Sequence, residues 1–261
     1  MSLEYVVADG VAVITLNRPD VLNAFNDELG FAALDAMNSA AEDDNVRCVV
    51  ITGAGRAFCS GEDLGALGDG YRAGDVPDLG ETLVKRYNPL IRAIRSAPKP
   101  VVAAVNGVAA GAGASIALAC DFRIASEKAK FILAFVHVGL VPDSGALWFL
   151  TKMVGSSKAW ELAATGTPLS ADEALRMGIV GKVAPPEEFE ASWKEFVSTL
   201  AAGPTRAYAL IKSLTNLASD RSLVEQLDAE VSIQSEAGKT IDHLEGVQAF
   251  LAKRPPKFQG R

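Results

Sequence analysis

Histidine occurs twice and cysteine three times in these 261 residues. From so few ligands no cluster with metal-binding spacing can be assembled, and no dinucleotide-binding glycine fingerprint is present, so neither a metal nor a redox cofactor is expected. Cys48, Cys59 and Cys120 are an odd, widely separated set without the density of a disulfide scaffold, and are expected as buried or half-buried free thiols. His137 and His243 lack a paired cysteine or acid nearby, and neither is assigned a role. No apolar run reaches the length of about 18 residues that a membrane helix needs, and Met1-Ser2-Leu3-Glu4 lacks the basic start of a secretory signal. A cytoplasmic location without a membrane partner is the expectation. A basic stripe is missing too: 25 basic and 32 acidic residues, spread along the chain, give a net charge of -7. Nothing in that balance attracts nucleic acid.

What is present is apolar residue in quantity, 49% of the chain, enough to bury a sizeable core. Residues 3–8 and 11–16 are β-rich runs around Asp9-Gly10, a two-residue hairpin signal. From Asp27 to about Asp44, Leu29, Ala32, Ala33, Ala36, Met37 and Ala40 recur at helical spacing. Residues 47–52 and 101–105 are short continuous apolar runs of the kind found in sheets covered on both faces. Between them lie a glycine-rich stretch, residues 65–80, expected as a mobile loop, and a helix from about Asp78 to Arg95. Residues 107–119 are nearly all small and suit a buried helix; strands are expected at 121–125 and 179–183, and helices from about Pro186 to Lys253. Alternating strands and helices make an α/β core. The division expected is residues 1–200 for that core and 201–261 for a helical C-terminal region.

Three stretches carry chemistry. Phe58-Cys59-Ser60-Gly61-Glu62-Asp63-Leu64 follows a buried strand, and its glycine lets the chain turn so that the next amide points into a cavity. Asn106-Gly107-Val108-Ala109-Ala110-Gly111-Ala112-Gly113-Ala114-Ser115 leaves a strand and enters a helix, whose first N–H groups are unpaired and favoured by the helix dipole. Two such amides aimed at one oxygen stabilise the enolate of a thioester, each contributing about 3–4 kcal/mol in known oxyanion holes. Val138-Gly139-Leu140-Val141-Pro142-Asp143-Ser144-Gly145 puts an acid at a turn before the helical run Ala146 to Val154, where the plain structural alternative is a helix N-cap.

Together with Leu16-Asn17-Arg18-Pro19, Leu22-Asn23-Ala24-Phe25, Cys120-Asp121 and the tail Glu245 to Arg254, these stretches make the chain resemble the crotonase (enoyl-CoA hydratase/isomerase) family over nearly its whole length. The resemblance implies a crotonase (ClpP-like) spiral of β-β-α units with a C-terminal helical trimerisation region. It implies trimers that often pair as hexamers, and an acyl-CoA thioester as substrate, with coenzyme A itself the only cofactor moiety. It places the oxyanion hole at the amides of Glu62 and Ala112. The acyl and CoA contacts fall to Ala24, Ser60, Gly61, Asp63, Leu64, Gly111, Ser115, Phe135 and Leu140, with Phe250 and Lys253 near the nucleotide end.

Hydratases of that family carry glutamates where this chain has Ser115 and Phe135. Hydration needs a base for water and an acid for the α-proton, which neither residue supplies. Asp143 remains, and one carboxylate suffices for a 1,3-proton shift. The phrase from Gly139 to Gly145 most resembles the branch that isomerises ring-epoxidised phenylacetyl-CoA and can move a 3,4 double bond to the 2,3 position. Asp143 is expected as the general base, made more basic by Phe135, Leu140 and Trp148 around it. The Ala146-Leu147-Trp148 run, where relatives usually have a second glycine, is expected to reshape the acyl pocket. The rival readings are a hydratase working with Asp143 and Glu62, and a catalytically silent CoA-ester-binding or RNA-binding relative.

Overall fold

The computed structural model describes residues 1–65, 68–74 and 77–261, and of Asp69 the backbone only. The chain opens with the expected hairpin: β1 (Leu3–Ala8) pairs antiparallel with β2 (Val11–Leu16) across Asp9 and Gly10, both in the left-handed region that a two-residue turn of this type requires. Helix α1 (Asp27–Glu42) starts where the Asn26 side chain accepts from the Leu29 N–H at 3.0 Å, and buries Leu29, Gly30, Ala33, Ala36, Met37 and Ala40.

Six further strands follow a simple rule. β3 (Cys48–Gly53) and β4 (Ala57–Cys59), β5 (Val101–Val105) and β6 (Val108–Ala110), and β7 (Phe122–Ser126) and β8 (Lys130–Ile132) are consecutive pairs. In each pair the first strand joins a six-stranded sheet and the second a four-stranded one. Helices fill the returns: α2 (Gly68–Arg72), α3 (Leu79–Thr82) running through a π-helical turn (Leu83–Tyr87) into α4 (Asn88–Ser96), and α5 (Ala112–Ala119). Each circuit advances one strand along both sheets, the β-β-α spiral that the resemblance implied. Helix α6 (Ala146–Thr165, broken at Gly155), β9 (Leu169–Ser170), α7 (Ala171–Arg176) and β10 (Lys182–Ala184) close the sheets in the orders β1-β2-β3-β5-β7-β10 and β4-β6-β8-β9.

The period-2 alternation of the larger sheet sorts its side chains into two cores. Ile14, Val49, Ile51, Val101 and Ala103 face α1 and α4, while Cys48, Val50, Val102 and Ala104 pack under Phe189, Trp193 and Val197 of α8 (Phe189–Ala202). The three cysteines are buried and unpaired, and burial pushes each thiol up to about 12. Helices α9 (Thr205–Ala218), α10 (Leu223–Ala237) and α11 (Ile241–Leu251) complete the chain; α10 buries nothing within it and leaves Leu223, Val224 and Val231 exposed.

Several expectations are corrected. Residues 107–119 are not one helix: Val108–Ala110 pair as β6 between β4 and β8, and the helix starts at Ala112. The strand placed at 179–183 is β10 at Lys182–Ala184, with Ile179 and Val180 buried in the turn before it. Of the stretch 65–80, expected as a mobile loop, Ala66, Leu67, Asp75 and Val76 lie outside the described residues, while Gly68–Arg72 is helical and α3 begins at Leu79.

Candidate active site

β4, β6 and β8 are parallel neighbours, so the segments leaving their C-terminal ends emerge side by side. Those segments hold the three sequence stretches from which chemistry is expected.

The first two bring the amides together. Gly61 sits at φ +100° after β4 and Gly111 at φ +51°, ψ -126° after β6, conformations that a side-chain-bearing residue rarely adopts. The two turns touch: a Cβ built on Gly61 would lie 3.1 Å from the Ala110 carbonyl oxygen and 3.5 Å from the Ala112 nitrogen. Phe25 grips the first turn from outside, its N–H donating to the Gly61 carbonyl at 2.7 Å and its own carbonyl accepting from the Asp63 N–H at 2.9 Å. The Glu62 N–H between them has no acceptor in the chain among the described residues. Ala112 is the first residue of α5, whose initial N–H groups have no intrahelical partner. Asn23, which sequence reasoning did not single out, is fully buried and its Nδ2 donates to the carbonyls of Ala54, Ala57 and Phe58, fixing the run into the Gly61 turn.

The third segment carries Asp143, and α5 holds it. Ser115 is fully buried, with its Oγ 3.1 Å from the Asp143 carbonyl oxygen and 3.3 Å from that of Gly111. A single hydroxyl thereby bridges the acid-bearing turn and the Gly111 turn. Asp143 does not cap α6: the N-cap is Gly145, without a side-chain cap. Its carboxylate instead accepts from the Ser144 Oγ at 2.8 Å. Burial raises the Asp143 carboxyl above the usual range, the Ser144 hydrogen bond opposes this, and the negative charge of Glu62 adds to it.

The three segments enclose a cavity of about 170 Å³. Of the residues singled out from sequence, Ser60, Gly61, Glu62, Leu64, Gly111, Ala112, Phe135, Leu140 and Asp143 are on its wall. Ala24, Asp63 and Ser115 are not: the Ala24 carbonyl accepts from Arg18, Asp63 is ion-paired with Arg18 at 2.8 Å, and Ser115 lies behind the wall. Phe250 and Lys253, at the far end of the chain, do not reach the cavity, and Phe250 is 82% exposed. Trp148 is also away from Asp143; it lies on the outer side of α6, its ring under Lys152 Nζ at 3.5 Å. Ala134 and Val138 join Tyr71, Leu79, Thr82, Leu83 and Tyr87 in the rest of the wall, and no pattern in the sequence marks the latter five. A somewhat larger depression, about 220 Å³, lies between α4 and α9, but its charges face one another, with Lys212 2.8 Å and Arg95 3.3 Å from Asp121. His137 turns its ring toward the Thr165 carbonyl, and the His243 N–H is engaged by Thr240.

The family model for enoyl-CoA hydratase/isomerase matches residues 7–261. Over 255 residues the chain is 44% identical to the 1,2-epoxyphenylacetyl-CoA isomerase of Escherichia coli strain K12, covering 98% of this chain and 97% of that protein. It is 44% identical over 260 residues to a Rhodobacter capsulatus protein named as a probable enoyl-CoA hydratase, covering 100% and 98%. Among solved structures, the enoyl-CoA hydratase of Polaromonas sp. JS666 superposes with a TM-score of 0.92 at 36% identity, over 98% of this chain and 99% of that one. Among the described residues no helix is long and apolar enough to cross a membrane.

Proposed function

Given that the chain belongs to the enoyl-CoA hydratase/isomerase family, we propose that it isomerises an acyl-CoA thioester with Asp143 as its one mobile base. The thioester carbonyl oxygen sits between the N–H groups of Glu62 and Ala112, and the electron pair freed by deprotonation is held there as an enolate. With a 3-enoyl ester, Asp143 takes the proton from the carbon next to the carbonyl and returns it two carbons further on, leaving the double bond at the 2,3 position. With a ring-epoxidised phenylacetyl ester, the same enolate stabilisation assists opening to the seven-membered oxepin. Both reactions are redox-neutral and require no group beyond coenzyme A.

The observation that carries this reading is the state of the two carboxylates on the cavity wall. Among the described residues the Asp143 carboxylate has only the Ser144 hydroxyl as partner, and it is raised by burial. Glu62 is held by the Arg86 guanidinium and, at 2.5 Å, by the Tyr87 hydroxyl. One carboxylate is therefore placed to move protons and the other is tied. The presence of Glu62 in the cavity favours one alternative, hydration by the Asp143–Glu62 pair. A panel of 3-enoyl-CoA, 2-enoyl-CoA and ring-epoxide-CoA separates them: turnover of the first or third supports isomerisation. Faster loss of the conjugated thioester absorbance of crotonyl-CoA, the signature of water addition, would transfer the assignment to the pair.

The exposed apolar residues of α10 and α11 support self-association through residues 201–261, as trimers or paired trimers. In such an assembly Phe250 and Lys253 would approach the nucleotide end of coenzyme A bound by a neighbouring copy.

A further inference from the structure

The π-helical turn Leu83–Tyr87 is the one local irregularity of the long helix that roofs the cavity, and such turns redirect side chains. Here it sets two successive residues, Arg86 and Tyr87, on the same carboxylate, that of Glu62. Arg86 is 3% exposed, and room for it is cut into α1: a Cβ at Gly30 would lie 2.2 Å from the Arg86 Cδ. Its second nitrogen meets Asp27 Oδ1 at 2.9 Å, so one guanidinium charge is divided between two carboxylates. Asp27 is 83% exposed and screened by water, whereas Glu62 is 25% exposed and on the cavity wall, where Arg86 is not.

We infer that Arg86 and Tyr87 are positioning residues that hold the Glu62 carboxylate in the cavity as a fixed negative charge acting through space on Asp143. The inference rests on the assignment of Asp143 as the base and adds a second role to residue 62, whose amide belongs to the oxyanion hole and whose side chain tunes the base. A base is stronger beside a charge that disfavours its own ionised form, and the effect is large only where water is excluded. Among the described residues the other titratable groups on the cavity wall are Tyr71 and Tyr87; behind the wall lie the Arg18–Asp63 pair and Arg86, α5 contributes none, and the ring of His137 is turned toward Thr165. Tyr87 is kept protonated, its hydroxyl raised first by burial and then by the charge it donates to. Among the described residues Glu62 is thus the carboxylate that shares the cavity wall with Asp143.

The test is Glu62→Gln, which keeps the amide and the side-chain shape and removes the charge. The titration of Asp143, followed by carbon NMR of aspartate-labelled full-length protein, is expected to move to lower pH, and the acid limb of kcat/KM to move with it. Tyr87→Phe is the second variant; with one of its two ties removed and Arg86 still in place, the carboxylate is held less firmly and is better screened, so a smaller shift in the same direction is expected. A titration unchanged in both variants overturns the inference, even if turnover falls, because a merely structural role would lower stability and leave the titration in place. A shifted titration supports it independently of turnover. If Asp143→Asn still turns over substrate while the shift is present, the base assignment fails and the electrostatic coupling stands.

Discussion

Asp143→Asn separates chemistry from architecture at this site. The substitution is close to isosteric, and an amide oxygen can still accept from the Ser144 hydroxyl that now lies 2.8 Å from the carboxylate. The tie from Ser115 goes to the main-chain carbonyl of residue 143 and is untouched. The turn should therefore hold, and only basicity is lost. General-base catalysis by a positioned side chain is worth about 10²- to 10⁴-fold, roughly 3–5 kcal/mol of barrier. A fall of that size in kcat is expected, with binding of the CoA ester retained because the proposed reading assigns it to the amides of Glu62 and Ala112. Stability should change in the opposite direction. Burial raises the Asp143 carboxyl in the folded state, so the native protein holds its proton to higher pH than the unfolded chain. The resulting stabilisation is present below the unfolded value and is lost as pH rises through the raised folded value. The asparagine variant ionises nothing. It should melt at a higher temperature than the parent at neutral pH, with the gap closing on acidification. Steady-state kinetics on 3-enoyl-CoA and melting curves from acid to neutral pH read both effects. Turnover within about tenfold of the parent, or a stability difference that ignores pH, would refute the reasoning.

Other substitutions probe the scaffold. Ser115→Ala removes the hydroxyl between the Asp143 and Gly111 carbonyls; an expected loss of about 1–3 kcal/mol in urea unfolding should come with a lower kcat and a nearly constant KM. Gly111→Ala has room for the new methyl, 3.7 Å from the Gly61 Cα, but forces a side chain into φ +51°. About 1–3 kcal/mol of strain should appear as lost stability and lost kcat together, and a neutral result would show that the turn relaxes. Asp121→Ala strands the buried Lys212 ammonium with carbonyl partners only; about 3–5 kcal/mol of destabilisation is expected, against a much smaller effect of Lys212→Met, both measured by denaturant titration.

The legible parts of the fold were those whose signal is local. Asp9-Gly10 specifies its turn by backbone conformation, and α1 repeats its apolar face for 16 residues. β3 and β5 are runs long enough to show continuous burial. The smaller sheet was hidden because β4, β6 and β8 are three residues each, too short for any period, and the small residues of β6 are good helix formers. Val108–Ala110 are a strand because β4 and β8 lie on either side, a partnership of distant segments. The site divides in the same way. Its glycines and its acid could be read in place, since a turn and a helix start are local features. The partners of Glu62 are 24 and 25 residues away, beyond a stretch without periodicity, and meet it only through the π-helical turn. Trp148 was misplaced by proximity in sequence: with Ala146, Phe149 and Leu150 buried, helical geometry turns residue 148 outward.

The position of Ser115 bears on the proposed choice of Asp143 as the base. On the first turn of α5 its side chain sits behind the oxyanion turn, close enough to Asp143 to bond its carbonyl. A glutamate there would need space and solvation for a charge, and the residue is fully buried. A hydroxyl needs neither, and its one proton is donated to the nearer carbonyl, that of Asp143 at 3.1 Å, while the Gly111 carbonyl already accepts from the Ser115 N–H. A neutral tie in place of a charged side chain leaves no proton carrier at residue 115 and fixes the turn that presents Asp143, the base in the proposed reading. On the proposed reading, a disfavoured hydration at residue 115 and a fixed Asp143 turn have the same physical cause, and a base with a neutral side chain behind it suits a reaction in which the proton leaves and returns on one side chain.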